Sequence, residues 1–525
     1  MDPVHVAARL IERLREPARY PHPVDRVELI ETHISWVLLA GEFAYKVKKP
    51  VDLGFLDFTA LAARKRFCEE ELRLNRRTAP ELYLEAVPIG GTPDDPRLGA
   101  TPAIEYAVKM RRFAQDALLD RMAKRGALTA AHVDAIAAAV ADFHARIERV
   151  PRASGCGSPE RVAAFAEQNF EQLDALVAAP ADFEHLDRLR TWTGLEFSAR
   201  REIIAERKRD GFVRECHGDL HLGNIALIDG RPVAFDCIEF NDDLRWIDVM
   251  SEVAFLVMDL LDHRLDALAW RCLDRYLQLT GDYTGIAVLR FHLVYRAMVR
   301  AKVACMRARQ PGLDAAAHAR LADEYRSYFG LASRLAESVR PAIVLMHGLS
   351  GSGKTTVAQL LLESLGAIRV RSDVERKRLH GLDPLARTSQ ALGAGLYGPE
   401  ATQRTYDRLA AAARAIVDAG FPAIVDAASL RRPERDAMRE LARALGVRFF
   451  IATCTAPEAV LRQRISAREQ AGADASEATA AVLDLQLAAQ EPLGADEQSD
   501  AVVFDTVAGA DAIATAVRAL EERIA

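Results

Sequence analysis

The 525-residue sequence predicts two domains of mixed class, an α+β domain followed by an α/β domain with a parallel sheet. Two stretches carry this prediction. One is a short hairpin signal centred on Asp229-Gly230, and the other is a buried strand, a glycine-rich loop and a helix in succession at residues 342–365. A long alanine- and charge-rich helix ends at Pro341, so the domains are expected at residues 1–335 and 341–525.

Composition limits the classes of function. Lys and Arg number 69 against 75 Asp and Glu, a formal net charge of -6, and this balance argues against binding to nucleic acid or to an anionic membrane. The seven scattered cysteines form no CxxC pair, which argues against a disulfide framework or a zinc site. No apolar run approaches the roughly 20 residues of a membrane span. A cytoplasmic protein is therefore expected.

The first strands of the chain are predicted at residues 35–40 and 43–48, joined by Gly41-Glu42 as a hairpin. Side chains two positions apart point to the same face of a strand, so Lys46 and Lys48 lie together. Either lysine could hold nucleotide phosphates, and Lys46 is preferred. A helix rich in charge is predicted at Leu61–Asn75, and strands follow at residues 83–89 and 103–110.

The stretch HGDLHLGNIALIDGRPVAFD, residues 217–236, predicts a second hairpin. Asp-Gly between apolar runs indicates a type I′ turn, because both central residues need positive φ. With that turn, Ile228 faces Arg231, and Asn224 and Asp236 emerge side by side at the open end. Their oxygen atoms suit Mg²⁺ bridging nucleotide phosphates. Asp219, just before the first strand, is then free to orient an attacking hydroxyl.

This arrangement resembles the catalytic loop and metal-binding Asp of the aminoglycoside phosphotransferase and choline kinase family. The resemblance implies a bilobal protein-kinase-like fold, with lobes at about 1–110 and 111–335. It also implies Asp219 as catalytic base and Asn224 and Asp236 as Mg²⁺ ligands. The related protein-kinase pattern has Arg after the His, whereas this chain has Gly218, and this departure favours a small-molecule acceptor over a protein.

The same resemblance implies a glutamate on the helix Leu61–Asn75 that pairs with the strand lysine. Glu69, Glu70 and Glu71 are all available. The apolar positions favour Glu70 or Glu71, and Glu71 is taken as the candidate. The resemblance further implies that Asp248 ties down the catalytic loop.

Arg296 and Arg300 lie on one face of a later helix by their i,i+4 spacing. This pair would suit an anionic acceptor, although a solvated basic face is the simpler interpretation.

The second half contains GLSGSGKT between a buried strand and a predicted helix at residues 356–365. This matches G-x-x-x-x-G-K-[ST] in its required strand–loop–helix context. Backbone N–H groups of such a loop curl around phosphate oxygens at a helix N-terminus. Lys354 is expected to neutralise the β- and γ-phosphates, and the Thr355 hydroxyl to bind Mg²⁺. The predicted nucleotide-binding residues are Gly348, Ser350, Gly351, Ser352, Gly353, Lys354, Thr355 and Thr356.

Three more strand-like runs in this half end in polar residues. Because the carboxyl ends of parallel strands gather around the ligand crevice, Asp373 is a candidate general base. Asp426 is a candidate contact to Mg²⁺-bound water or to the acceptor. Further along, Arg464 and Arg468 share a helical face and could clamp the transferring phosphoryl charge from a lid.

This second domain resembles the P-loop kinase group of zeta toxin, gluconate kinase and chloramphenicol phosphotransferase, an AAA_33-type ATP-binding domain in a three-layer α/β/α fold. The whole chain resembles bacterial two-domain proteins that fuse an aminoglycoside-phosphotransferase-like domain to such a kinase domain. The resemblance implies an enzyme that transfers phosphate from ATP, with Mg²⁺, to hydroxyls of small-molecule acceptors at two sites. Two alternatives stay open: only one domain is catalytic and the other senses ATP or acts as a scaffold, or the protein is a protein kinase. Neither acceptor nor the oligomeric state is predicted.

Overall fold

The computed structural model describes residues 3–52, 54, 56–176, 180–309, 312–337, 340–384, 398–471 and 479–524. The chain packs into two compact units. The first unit consists of Met1–Leu128, Asp142–His263 and Tyr295–Ala332. The second consists of Thr129–Ala141, Arg264–Val294 and Ser333–Ala525.

The first unit begins with a six-stranded antiparallel sheet. Its strands run in the spatial order β1-β2-β3-β6-β4-β5. Helices α1 (Pro3–Leu14) and α2 (Leu61–Asn75) cover this sheet with separate buried clusters. The strands are β1 (Val27–Glu31), β2 (Ser35–Ala40), β3 (Phe43–Lys48), β4 (Tyr83–Thr92), β5 (Asp95–Leu98) and β6 (Ala103–Arg111).

The remainder of the first unit is mainly helical. Helix α8 forms its centre, since every residue from Val249 to Leu261 is buried. Most of these residues are apolar, and the buried acidic ones are Glu252 and Asp259. The short strands are β7 (Val213–Glu215), β8 (Ile225–Ile228), β9 (Arg231–Ala234) and β10 (Trp246–Asp248). The helices from here to the second sheet are α3 (Leu119–Lys124), α4 (Ala130–Arg146), α5 (Pro159–Asp174), α6 (Pro180–Arg209), α7 (Asp242–Arg245), α8 (Val249–Asp262), α9 (Asp266–Thr280), α10 (Ile286–Ala308) and α11 (Ala315–Ala336).

Both predicted hairpins of the first unit are confirmed. Strands β2 and β3 pair from Ser35↔Lys48 to Ala40↔Phe43. Strands β8 and β9 pair with Ile228 opposite Arg231, and Asp229 and Gly230 have φ values of 49° and 75°. These positive values are those of a type I′ turn, so local turn chemistry was sufficient to predict this register.

The second unit contains a five-stranded parallel sheet in the order β12-β13-β11-β14-β15. Helices α12 and α18 pack on one face, and α14 and α15 pack against strands of the same sheet. The strands are β11 (Ala342–His347), β12 (Ile368–Arg371), β13 (Ala423–Asp426), β14 (Arg448–Thr455) and β15 (Ala501–Asp505). The helices are α12 (Lys354–Leu365), α13 (Ser372–Leu379), α14 (Pro399–Asp418), α15 (Arg432–Leu445), α16 (Glu458–Ala471), α17 (Ala480–Ala489) and α18 (Ala510–Ile524).

The predicted fold class is confirmed: the first unit is α+β with an antiparallel sheet, and the second is α/β with helices packed on a parallel sheet. The division into packing units falls within helices α4, α10 and α11, and it assigns the whole of α9 to the second unit. The boundary between residues 335 and 341 stays a prediction. No helix among the described residues combines the length and the apolar character needed to cross a membrane.

Candidate functional site

A buried set of charges joins strand β3 to helix α2 in the first unit. Lys46 Nζ lies 2.9 Å from Glu71 Oε1, and Lys48 Nζ lies 2.6 Å from Glu71 Oε2. Lys46 also contacts Asp236, and Lys48 contacts Glu239. The two lysines share one face as predicted, and both of them pair with Glu71.

These contacts keep Glu71 and Lys46 ionised although both are buried. Burial alone would raise the pKa of Glu71, but the ammonium groups of Lys46 and Lys48 lower it to about 2. Burial opposes the charged form of Lys46, yet the carboxylates of Asp236 and Glu71 raise its pKa well above the usual value. The cationic end of Lys46 is therefore fixed in charge and position at the edge of Asp236, whose side chain is 43% exposed.

The open end of the β8–β9 hairpin assembles the other predicted residues. Phe235 N donates to Asn224 O at 3.0 Å, which is the predicted pairing. Asn224 Nδ2 donates to Asp219 Oδ2 at 2.9 Å, so the remaining carboxamide oxygen is the atom available to a cation. Asp236 has a φ of 66°, a backbone conformation that a non-glycine residue adopts at a cost and that is common at functional sites. The donor set of amide and carboxylate oxygens fits Mg²⁺.

Asp219 is held as a carboxylate. Burial raises its pKa, but the nearby His221 lowers it, and Arg300 adds to that effect, so that the pKa lies below the usual value. His221 Nε2 lies 3.5 Å from Asp219 Oδ2 and 3.5 Å from Arg300 Nη1. An ionised carboxylate can accept a hydrogen bond from an attacking hydroxyl.

Both backbone polar groups of Gly218 are hydrogen-bonded to side chains. Its N–H donates to Glu252 Oε1 at 2.7 Å, and its carbonyl accepts from Arg296 Nη1 at 3.0 Å. With a φ of 88°, and with an added Cβ only 2.7 Å from the Leu244 carbonyl oxygen, this position requires glycine. Glycine in place of Arg therefore has a backbone reason in this chain. His217 Nε2 donates to the Phe235 carbonyl at 2.8 Å and links this loop to the residue before Asp236.

One expectation for this region is wrong. The solvated basic face does not describe Arg296, which is 5% exposed. Glu252 holds the backbone of Gly218, and Asp248 caps helix α8 by accepting from Met250 N at 2.8 Å and pairs with Arg207; the tie between Asp248 and the predicted catalytic loop stays a prediction. Helix-face spacing identifies neighbours but does not say whether the face is covered by other elements.

Sequence reasoning missed His33, which lies in the turn between β1 and β2. Lys49 N donates to the Ile34 carbonyl at 2.8 Å, which holds this turn beside the end of β3. Burial lowers the pKa of His33, and the charges of Arg307 and Lys49 lower it further, while Asp219 and Asp236 act in the opposite direction. His33 is therefore within electrostatic range of Asp219 and Asp236, and no motif in the sequence marks it.

In the second unit, the glycine-rich loop is shaped by close backbone approaches. A Cβ on Gly348 would meet the Cys454 carbonyl oxygen at 2.5 Å, and one on Gly351 would meet the Leu461 carbonyl oxygen at 2.8 Å. Gly353 has a φ of 88°. Helix α12 begins at Lys354, two residues before its predicted start. The first N–H groups of a helix lack partners within the helix and form a cradle for phosphate.

Lys354 lies at the base of this cradle. Its Nζ donates to the Leu349 carbonyl at 2.8 Å. Burial lowers the pKa of Lys354, whereas the carboxylates of Asp426 and Asp373 oppose this and the charge of Arg468 reinforces it. The structure thus brings both predicted acidic residues and Arg468 into electrostatic range of Lys354.

Buried polar atoms without hydrogen-bond partners collect around the same loop. They belong to the carboxyl ends of three neighbouring strands and to the loop itself. The register pairs His347 with Thr453 in adjacent strands. Such atoms are costly when left unsatisfied, so this crevice fits a polar ligand such as a nucleotide with its metal. The atoms are His347 Nδ1 and Nε2, Ser352 Oγ, Asp426 Oδ2, Ser429 Oγ and Thr453 Oγ1.

The predicted residues at the edges of the crevice have identified contacts. Asp373 lies in the first turn of α13. Arg464 Nη1 donates to the Gly351 carbonyl at 3.2 Å and to Thr506 Oγ1 at 2.8 Å, so it braces the loop backbone. Ser350 N donates to Gln486 Oε1 at 2.8 Å, a partner on helix α17 that sequence reasoning did not identify.

Comparison with known proteins agrees with both halves of this description. Residues 65–292 match the model of the phosphotransferase enzyme family, APH, and residues 343–493 match an AAA domain model. The chain is 31% identical to the uncharacterized protein Rv2004c of Mycobacterium tuberculosis strain H37Rv over 465 residues, which are 88% of this chain and 91% of that protein. The same values apply to the uncharacterized protein Mb2027c of Mycobacterium bovis.

Two solved structures are among those to which the chain is similar. Amicoumacin kinase hAmiN in complex with AMP-PNP, Ca²⁺ and Ami is 13% identical, with a TM-score of 0.40, covering 62% of this chain and 95% of that chain. A gluconokinase from Sinorhizobium meliloti 1021 is 20% identical, with a TM-score of 0.26, covering 35% and 97%.

The matched families are kinase-type phosphotransferase families, which implies that the chain is a phosphotransferase enzyme that uses ATP. The chain belongs to the same family as the mycobacterial proteins, and it joins an APH phosphotransferase domain to an AAA-type P-loop kinase domain.

Proposed function

We propose that the protein is a bifunctional phosphotransferase, which transfers the γ-phosphate of ATP to hydroxyl groups of small-molecule acceptors at two separate sites. One observation carries the proposal. In the first unit Lys46 contacts Asp236 and Asn224 donates to Asp219, and in the second unit Asp373 and Asp426 are in electrostatic range of Lys354. Each unit thus has a lysine that would hold phosphate, a carboxylate that would act as base and oxygen atoms that would bind a metal ion.

In the first site, Lys46 would hold the triphosphate, while Glu71 keeps its ammonium group in place. Asn224 and Asp236 would hold Mg²⁺, which neutralises phosphate charge when bound. Asp219, kept ionised beside His221, would accept a hydrogen bond from the acceptor hydroxyl and orient it for in-line attack. Phosphoryl transfer asks mainly for this positioning and charge stabilisation.

In the second site, the N-terminus of α12 and Lys354 would hold the phosphates. The Thr355 hydroxyl would hold Mg²⁺, and Asp373 would orient the second acceptor. Arg468 lies in electrostatic range of Lys354, which supports a role in stabilising phosphoryl charge. Arg464 would act on the loop backbone through its bond to Gly351.

The test is a mass-shift screen for an added phosphate. Sugars, amino sugars, nucleosides and aminoglycosides are incubated with ATP, Mg²⁺ and the full-length protein. Asp219→Asn and Asp373→Asn are each expected to lower the phosphorylation of a different acceptor by about 10²–10⁴-fold, as for removal of a general base. The matched controls are Asp229→Asn, because Asn-Gly also suits a type I′ turn, and Asp484→Asn on the exposed face of α17.

The outcomes separate the alternatives. If one variant loses all phosphorylation and the other keeps the full activity of the wild type, only one domain is catalytic. Phosphate that enters only cellular proteins, and no small molecule, would make the enzyme a protein kinase and contradict the proposal.

A further inference from the structure

Helix α9 packs along one edge of the parallel sheet in the second unit. Strand β12 is the edge strand there, and an edge strand has backbone N–H and C=O groups that are not paired with another strand. In the second unit α9 packs against β12 and against the P-loop helix α12. Tyr283, just after α9, donates its hydroxyl to the Arg369 carbonyl on β12 at 3.1 Å.

Strand β12 carries two buried arginines, and α9 supplies the partner of the first. Arg369 is 3% exposed. Its Nε lies 3.2 Å from Asp274 Oδ1, and its Nη2 lies 2.7 Å from Asp274 Oδ2. Such two-point contacts between a guanidinium and a carboxylate fix orientation as well as charge. Burial lowers the pKa of Arg369, but Asp274 raises it above the usual value.

The same guanidinium reaches the P-loop. Arg369 Nη1 donates to the Thr355 carbonyl at 3.3 Å, and Nη2 donates to Gln359 Oε1 at 2.8 Å. Thr355 is the residue whose hydroxyl would bind Mg²⁺. Arg369 therefore connects Asp274 on α9 to the first turn of α12, where the metal and phosphates would lie.

The second arginine, Arg371, lies two residues further along the strand and has a similar set of contacts. Arg371 Nη1 donates to Gln278 Oε1 at 3.1 Å, and Arg371 Nε lies 3.5 Å from Asp426 Oδ2. Gln278 in turn donates to Asp274 Oδ2. Because Asp274 and Gln278 are four residues apart on one helix face, a single turn of α9 contacts both arginines.

We propose that Asp274 and Gln278 are positioning residues of the second site. They orient Arg369 and Arg371, which hold Thr355 and Asp426 where a metal ion and the phosphates would bind. Outer partners of this kind set the orientation of metal ligands and typically account for about 10–100-fold in metal affinity or activity. The inference rests on the proposed function of the second domain.

The inference goes beyond the family assignments. The phosphotransferase model spans residues 65–292 and so contains α9, whereas the AAA model begins at residue 343. The side chains that orient the P-loop thus come from the range matched by the other family. A protein limited to residues 341–525 would lack them.

The experiment uses the full-length protein with Asp219→Asn, which silences the first site. In this background, Asp274→Asn and Gln278→Ala are compared for the free Mg²⁺ concentration that half-saturates second-site turnover. Asp274→Asn is expected to raise that concentration by about 10–100-fold, and Gln278→Ala less, because the Asp274–Arg369 pair remains. Half-saturation does not depend on the fraction of protein folded, so a merely structural role would not move it.

The matched control is Arg271→Ala, on the same helix. Arg271 pairs with Asp134 at 2.7 Å and lies 3.4 Å from Glu363, and none of these contacts involves β12. Its Mg²⁺ requirement should equal that of the parent. An unchanged Mg²⁺ requirement in both Asp274→Asn and Gln278→Ala, or an equal shift in Arg271→Ala, would overturn the proposal.

Failure of the proposed function is recognised separately. If the parent shows no second-site turnover, Mg²⁺-dependent binding of a fluorescent ADP analogue replaces turnover as the readout. Should Asp274→Asn not fold, Gln278→Ala alone decides, since it leaves the ion pair in place. A higher half-saturating Mg²⁺ concentration in the variant supports the positioning role whichever readout is used.

Discussion

The two candidate sites differ in how the lysine proposed to hold a polyphosphate is partnered by the protein. In the first, Lys46 and Lys48 are paired with Glu71, Asp236 and Glu239 before any ligand binds. In the second, Lys354 donates to a backbone carbonyl, and within the described part of the chain no carboxylate lies within ion-pair distance of it. The pKa of Lys46 is accordingly raised and that of Lys354 lowered.

The difference shows which groups in each site have their contacts satisfied by the protein and which would be satisfied by a nucleotide. The first site is a network of satisfied charges, so removal of one member leaves a buried charge without its partner. In the second site, Lys354 is hydrogen-bonded only to a backbone carbonyl among the described residues, and several buried polar atoms around it have no hydrogen-bond partner. The first is therefore sensitive to mutation in the absence of ligand, and the second gains most of its satisfied contacts from the ligand.

The largest effect is expected for Glu71→Ala. Because this carboxylate is fully buried between two lysines, its loss should lower the free energy of unfolding of the first unit by about 3–5 kcal/mol. Denaturant unfolding measures this change. The control Glu69→Ala removes an exposed pair with Lys65 and should alter stability by less than about 1 kcal/mol. Equal effects would show that the network does not stabilise the fold.

The equivalent lysines should respond with opposite sign. Lys46→Met removes the charge-assisted hydrogen bonds that Lys46 makes to Glu71 and Asp236. This loss should destabilise the first unit by about 1.5–3 kcal/mol. Lys354→Met removes a cation whose burial is not offset by an ion pair, so the ligand-free second unit should become slightly more stable. Thermal unfolding without nucleotide measures both. Destabilisation of the second unit by Lys354→Met would contradict the comparison.

The pH dependence of nucleotide binding should separate the sites next. The pKa of Lys354 is lowered below the usual 10.5, so in the free protein its ammonium group loses a proton as pH rises through that lowered pKa. The amine must take up this proton again in order to bind phosphate. Affinity at the second site should then fall by up to about tenfold per pH unit. Lys46 has a raised pKa and stays charged over the same range, so the first site should be insensitive. Titration calorimetry from neutral to alkaline pH measures both.

Lys354→Arg is the control for this prediction, because arginine stays protonated throughout that range. The variant should remove the pH dependence even if its affinity is lower. Persistence of the same decline in Lys354→Arg would assign it to another group.

The smallest effect is expected at the turn between β1 and β2. His33→Ala should raise the KM for ATP at the first site only about twofold to fivefold, as for one polar contact of roughly 0.5–1 kcal/mol. Steady-state kinetics at the first site measure it, with exposed Arg26→Ala as control. A loss as large as that of Asp219→Asn would make His33 a principal catalytic group, and no change would place it outside the site.

Local signals made much of this architecture predictable. The Asp229-Gly230 turn set the register of its hairpin, and the strand–loop–helix context of Lys354 identified the P-loop. The choice between Lys46 and Lys48 could not be made, because the rotation of α2 against β3 is a tertiary property and brings both lysines to Glu71.

The role of α9 was harder to foresee. Asp274 and Gln278 lie in a helix without a motif, and their partners are about 95 residues further along the chain. One signal was available: the strand Ile368–Arg371 reads IRVR, and arginines in a buried strand require buried acidic or polar partners. That signal shows that partners exist but not where they are.

The most direct test of two independent nucleotide sites is the stoichiometry of binding. Titration calorimetry with a non-hydrolysable ATP analogue and Mg²⁺ should find two nucleotides bound per wild-type chain. Asp236→Ala and Lys354→Ala should each bind one, and the double variant none. A single nucleotide per wild-type chain, or a single variant that loses both, would contradict the account.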